Sequence, residues 1–444
     1  MEASHRPHAP APRPRGVATI AVALVLLLGM TLVAFFTHRN LVLEQRSAIH
    51  HDRAARAFEL AEGGLVWTTA RLNDPRRLAA APSCAPSQTG DDAFAERFVV
   101  VSESGVAALD RRAACHVAPD GSIGCACGAA AGALPHTPAA ATNHARFVVH
   151  IRRAAASDPW TVELTSRACT QAGPPCDDDH GAARSPDATA STRVLLRMRP
   201  AFAQAPGAAV LAAGDVAIAG RTRVTNADTA SRGLTVVAGG RISLGADARL
   251  VSLPGTPAEA SLVDGDEPLA RLSSRADGLV LALLGESIDA HRGHPLTWTV
   301  TAADCQGRPR CSRCASPSEC GSALASAHAR GFGRFWLDTP ASLGGPAIGS
   351  ERAPVIVVTS APLALEGSVS LRGVLIGLPS PGHAWRLSSS GAARVHGAVA
   401  SGGDLRIDGG TLDIAHDAAA FAPGRARGEW LRVPGSWTDR PDEP

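Results

Sequence analysis

Apolar and polar positions divide the chain into three textures. The first is VATIAVALVLLLGMTLVAFF, twenty residues from Val17 to Phe36 without a charge. At about 1.5 Å of rise per residue, a helix of this length spans roughly 30 Å, the thickness of a bilayer's hydrocarbon core. Twelve of its residues are Leu, Ile, Val or Phe, together worth about −4 to −7 kcal/mol on an insertion scale. A cleavable export signal has a shorter apolar region with a small-x-small site after it. Here Phe35-Phe36-Thr37-His38-Arg39 follows, so the run reads as a transmembrane helix.

The second texture is helical. From Thr37 to about Leu72 there is no Pro, and Ala54, Ala57, Phe58, Ala61 and Leu65 fall on one helix face. Arg53, Arg56, Glu59 and Glu62 lie opposite, and Asn73-Asp74-Pro75 is a stop signal. The membrane helix is therefore expected to run on unbroken into a half-apolar stalk.

The third texture is alternation. Segments 97–101, 146–151, 160–164 and 192–198 have strand composition, with Ala, Gly, Pro and Ser between them. After about residue 207 a form recurs: an apolar pair, two or three small residues, then alternating apolar positions closed by Gly or Asp. It occurs at 210–220, 236–245, 357–367 and 398–409. Short strands with small-residue corners suggest rungs that stack, as in a β-solenoid, with a β-sandwich as the alternative. The aromatic segment Phe332-Gly-Arg-Phe-Trp-Leu-Asp338 is expected to dock an insertion on that body. The expected fold is α+β: a long N-terminal transmembrane and stalk helix, a small mixed β head, and an all-β C-terminal body. The divisions are a cytoplasmic tail (1–16), membrane helix (17–36), exported helix (37–74), head (75–205), solenoid (206–256), Cys-rich insertion (257–350), second solenoid part (351–421) and C-terminal tail (422–444).

Composition narrows the function. A net charge of +2 lacks the positive field that a nucleic-acid binder needs, so no nucleic-acid partner is expected. All 43 basic residues are Arg and Tyr is absent, a bias of coding sequence rather than of chemistry. The ten cysteines all follow the apolar run, which reads as disulfides in an oxidising compartment and an exported C-terminal part. Cys169 and Cys176 are expected to bridge. Cys305, Cys311, Cys314 and Cys320 suit two disulfides, nested as 305–320 and 311–314 or otherwise paired; four thiolates on Zn are the alternative. Asp177-Asp178-Asp179-His180 and Asp264-Gly-Asp-Glu267 read as solvated acidic turns without Ca-loop spacing. Gly285-Glu-Ser-Ile-Asp289 resembles a nucleophile elbow only superficially, and His50-His51 diverge on a helix. No cofactor and no catalytic or metal-binding residue is assigned.

Three elements in series are more specific. Arg15-Gly16-Val17-Ala18 precedes the span; Leu43-Glu44-Gln45-Arg46 follows it; then comes Ala57-Phe58-Glu59-Leu60-Ala61-Glu62-Gly63-Gly64. This series resembles the N-terminal segment of PilX-type pilus assembly proteins, over roughly residues 14 to 66. The resemblance implies a minor pilin-like component of a type IV pilus, single-pass in the bacterial inner membrane, with its C-terminal part in the periplasm or on the pilus. Its implied partners are other pilins and pilus assembly proteins. A prepilin-type cut after Gly16 would make Val17 the first residue and Ala21 the fifth, where major pilins resemble a pattern with Glu. Without that carboxylate a subunit suits a filament end, as the tip pseudopilin of type II secretion does. A type II secretion pseudopilin and a membrane-tethered β-helix carbohydrate-active enzyme are the other readings.

Overall fold

The structure is a computed structural model that describes residues 16–439, apart from 88–89, 91, 119, 131–144, 155–157, 171–187, 346, 381 and 425–427. Helix α1 runs from Gly16 to Leu72 as one element of 57 residues, about 85 Å long. No Pro interrupts it, and the two adjacent glycines that each weaken a helix by roughly 0.5–1 kcal/mol lie where the head supports it. It ends where expected: the Asn73 side-chain amide donates to the Thr69 carbonyl at 3.1 Å.

The head follows. Helix α2 (Phe94–Phe98) leads into a hairpin of β1 (Val99–Ser102) and β2 (Gly105–Ala108). The strand expected at 97–101 thus begins two residues late. Next come β3 (Arg111–Val117), β4 (Ile123–Ala130), β5 (Ala145–Arg153), β6 (Thr161–Cys169) and β7 (Thr189–Arg199). They pair antiparallel, and α1 crosses β5, β6 and β7. Alternate residues Phe147, Val149, Ile151, Leu164, Val194 and Leu196 face the helix and are buried with Ala61 and Leu65. That is the period-2 face meeting the period-3.6 face.

The body is a parallel stack. Its first rung is β8 (Val210–Ala212), β9 (Val216–Ile218) and β10 (Arg221–Thr225); the second is β11 (Val236–Ala238), β12 (Ile242–Leu244) and β13 (Arg249–Val251). Strand β14 (Leu262–Val263) pairs with β11 at that end. Helices α3 (Glu267–Leu272), α4 (Gly278–Leu284) and α5 (Ile288–Gly293) then carry the chain to the far end. There β15 (Thr297–Thr301), β16 (Cys311–Arg313), helix α6 (Pro317–Ala329), β17 (Arg334–Leu337) and β18 (Ala341–Leu343) begin a return. It continues through β19 (Val355–Thr359), β20 (Leu363–Gly367), β21 (Ser370–Gly377), β22 (Trp385–Ser401) and β23 (Leu405–Ala415). The end of β22 closes on β8, and β23 closes on β9 and β10, all in parallel. The last rung therefore lies against the first, in the middle of the stack. Finally β24 (Glu429–Arg432) pairs antiparallel with β7.

Three expectations are corrected here. Residues 257–350 are not an insertion that interrupts the rungs, because β15 and β17 pair in line with β19 and form the far end of the same stack. The aromatic segment 332–338 is a rung rather than a dock: Phe335 and Leu337 point into the core, while Trp336 joins α4 outside. Within the segment expected to be a C-terminal tail (422–444), Glu429–Arg432 form β24, an edge strand of the head. In consequence the whole solenoid is inserted between two neighbouring strands of the head sheet.

The recurring sequence form maps to one corner of the stack. Asp404 Oδ1 accepts the Asp215 N–H at 2.8 Å, and Asp215 Oδ1 accepts the Arg241 N–H at 2.7 Å. Each aspartate thus satisfies a backbone donor one rung over. A Cβ on Gly214 would sit 2.1 Å from Asp404 Oδ1, so the ladder needs the small residue before it. Strand β19, buried at every position, has helix α4 outside and the core inside, which explains its unalternating Val-Ile-Val-Val.

Candidate assembly interface

Helix α1 has two environments. From residue 19 to 56 nearly every position is exposed, including Ile20 at 62%, Leu43 at 54% and Ile49 at 49%. Among the described residues, this is the one helix long and apolar enough to cross a membrane, and the apolar window is unburied. Isolated in water, such a surface would be unstable; lipid or other apolar helices must cover it. Gly16 and Val17 belong to α1. Leu43, Glu44 and Arg46 lie in the uncovered part, beyond the reach of the head.

The head begins to cover α1 at Ala57. Ala57, Ala61 and Leu65 are fully buried, whereas Ala54, expected on the same face, is exposed because the sheet does not reach that far. Phe58 is turned partly outward at 38%. Of the two adjacent glycines, Gly63 has open space around it. Gly64 is the tight one: a Cβ there would lie 2.2 Å from Ser166 Oγ and 2.9 Å from Phe147. Its carbonyl accepts the hydroxyl of buried Thr68 at 2.8 Å. The Ala-x-x-x-Ala-x-x-Gly spacing at 57, 61 and 64 is thus what lets the helix lie close on β5 and β6.

Sequence reasoning did not join the C-terminal segment to this helix. Trp437 Nε1 donates to Glu62 Oε1 at 2.6 Å, and its ring meets Phe58 edge-on, with centroids 6.3 Å apart. The Trp430 N–H donates to Asn73 Oδ1 at 2.8 Å, while Asn73 Nδ2 donates to the Trp430 carbonyl at 2.9 Å. Phe58 and Glu62, one helical turn apart, are therefore gripped by residues that come after the solenoid. A return of some 370 residues along the chain leaves no local trace in sequence.

The cysteines form staples. Cys84–Cys127 and Cys115–Cys125 bind the head, the latter directly across β3 and β4. At the far end of the stack the pairs are Cys305–Cys311 and Cys314–Cys320, sequential rather than nested. Cys311 opens β16, whereas Cys314 follows the end of that strand and meets Cys320 in the first turns of α6. Cys169 is disulfide-bonded; Cys176 and the Asp177–His180 run lie outside the described residues.

The remaining candidates for chemistry have local structural roles. Asp266 Oδ1 caps α3 by accepting the Leu269 N–H at 2.8 Å, and Glu267 pairs with Arg271. Ser287 Oγ, in the elbow-like segment, accepts the Ala290 N–H at 3.2 Å and caps α5. His50 and His51 are exposed on α1. Among the described residues no group of three His, Cys, Asp or Glu is arranged to hold a metal ion.

Comparison with known proteins points to α1. The family model "PilX N-terminal" matches residues 15–66. No curated protein matches the chain. Among solved structures, the competence-associated pilin ComZ from Thermus thermophilus is similar at 10% identity, with a TM-score of 0.22 and coverage of 87% of this chain and 97% of that one. Residues 15–66, which make up most of α1, match the PilX N-terminal family model, and the rest of the chain lies outside that match.

Proposed function

We propose that this protein is a minor pilin-like structural component of a type IV pilus, held in the inner membrane by residues 17–36 and presenting its head and solenoid in the periplasm or at a filament end. One observation carries the reading: a single unbroken helix whose outer turns are embedded in a head sheet while its first forty residues or so are left bare. Such a rod is suited to pack among like rods, with lipid or neighbouring helices covering Ile20 to Ile49. Ala21 supports an end position. A carboxylate at that depth would have to be paired, and a subunit lacking it makes no such demand on a subunit above. The role is one of assembly and surface presentation; Ser287 and Asp266 serve as helix caps.

Mass analysis of the N-terminus of the membrane-extracted chain tests the reading, together with pilus counts in a deletion strain. The expected result is a chain beginning at Val17, with pili lost on deletion and restored by the full chain. An intact Met1 combined with unchanged piliation would overturn it.

A further inference from the structure

Charged side chains are buried together where the chain leaves the head and where it returns. Arg199 is the last residue of β7 and Glu429 the first of β24, and they pair at 2.7 Å. Glu286, in the turn between α4 and α5, has a side chain only 4% exposed, and its Oε2 lies 3.7 Å from Arg199. Its Oε1 pairs with Arg334, the first residue of β17, and lies 2.8 Å from Nδ1 of His291 in α5. A carboxylate and a carbonyl only accept, so the neutral ring, donating to Glu286 through Nδ1, has no proton for the Phe335 carbonyl 3.4 Å from Nε2. The His291 side chain is fully buried. His294 accepts the Leu296 N–H at Nδ1 and turns Nε2 to Glu429 at 3.3 Å. On the same short helix, Arg292 lies over the Trp336 ring, 4.9 Å from its centroid, and Asp289 sits in the first turn.

With His291 neutral, Glu286 and Glu429 stand against Arg199 and Arg334. A proton on His291 would add a third cation 3.1 Å from Arg334, out of reach of water. We propose that this cluster is an acid-released lock on the neck: it holds the solenoid on the head while His291 is neutral, and the neck opens as the surroundings acidify.

The direction follows from linkage. Burial, the largest influence, holds His291 below the ordinary histidine value and Arg334 adds to it, while the hydrogen bond and charge of Glu286 and the Phe335 carbonyl oppose it without cancelling it. An opened neck returns His291 to an ordinary value of about 6.5. The opened state therefore binds the extra proton, so the closed neck has its full stability above that pH and loses it below. At one pH unit lower, opening from one histidine rises about tenfold. Burial raises the value of Glu286, but the His291 hydrogen bond and the Arg334 charge outweigh it and hold the carboxylate low, so its own effect sets in only at more acid pH. His328, near the end of α6, is likewise held low by burial, but its contacts are the Phe332 carbonyl and the Gly349 N–H, away from the cluster. A local readout separates the two.

That readout is amide hydrogen exchange of the full chain in detergent micelles, at pH 7 and at about pH 5.5, corrected for intrinsic rates. At the lower pH, amides at 196–202, 286–299 and 429–433 should lose protection by about tenfold, while β6 and β21 do not change. His291→Gln, which can still donate to Glu286 but cannot titrate, should keep the protection seen at pH 7 and lose the acid response. Glu286→Gln leaves Arg334 buried without its anion and should loosen the neck at both pH values. A wild-type neck equally protected at both, or an acid response unchanged in His291→Gln, overturns the lock. If Glu286→Gln does not fold, those two comparisons still decide it.

Discussion

Gly63 and Gly64 stand side by side in α1, and their surroundings demand opposite behaviour. A side chain at Gly64 runs into Ser166 and Phe147, whereas one at Gly63 meets nothing within 4 Å. Gly64→Val should therefore destabilise the head by about 1–3 kcal/mol through overpacking. Gly63→Ala should be neutral or stabilising by up to about 1 kcal/mol, because alanine is the better helix former. Denaturant unfolding of the full chain in detergent, followed by tryptophan fluorescence, separates these outcomes; equal effects at both positions would remove the close-approach account. The motif itself was legible, since its order Ala-Phe-x-x-Ala-Glu-x-Gly is local. Its final glycine is Gly64, but what that glycine packs against was not legible, because Ser166 lies about a hundred residues away on β6.

At the scale of the element, α1 was read almost to its last residue. Its length, the absence of Pro and the Asn-Asp-Pro stop are all local properties. Three of the head strands were also legible at 146–151, 160–164 and 192–198 from their β-branched and aromatic composition, which is local, although only β7 alternates cleanly in burial. Beyond residue 255 the reading weakened for a physical reason. Strands β15, β17 and β19 are covered on both faces, so they lack the alternation that marks a half-buried strand. The cysteine pairing at this end can be checked directly. Trypsin cuts after Arg310 and Arg313 lie between the half-cystines. Sequential pairs should release the Cys314–Cys320 peptide apart from the peptide holding Cys305 and Cys311, whereas nested pairs would leave all three fragments linked. Replacing Cys314 and Cys320 together by Ser should cost about 2–3 kcal/mol on the loop-entropy estimate, and free the start of α6 from β16.

For the molecule as a whole, the order of the rungs carries a consequence for folding. Strands β8 to β10 are made first, yet on one side they pair with β22 and β23, which are made last. Half of their ladder stays open until the chain has travelled to the far end of the stack and back, and such distant closure is slow. Pulse-labelled hydrogen exchange during refolding should show 210–225 gaining full protection together with 398–415. Protection of 210–225 well before 398–415 would contradict this order. The same return brings β24 to β7 and Trp437 to Glu62, so the stalk, head and solenoid are closed by one terminal segment.

The sequence by itself determined the membrane run, the unbroken stalk, the small-residue corners and the presence of staples, because each depends on neighbours a few residues apart. Only the tertiary structure decided the rest: the stacking order, the sequential cysteine pairs, the capture of Phe58 and Glu62 by the far C-terminus, and the buried charges at the neck. Each of these joins groups that are distant in the chain, and a parallel stack of similar rungs offers many registers of nearly equal local merit. What selects among them is mutual burial, which a one-dimensional pattern does not express.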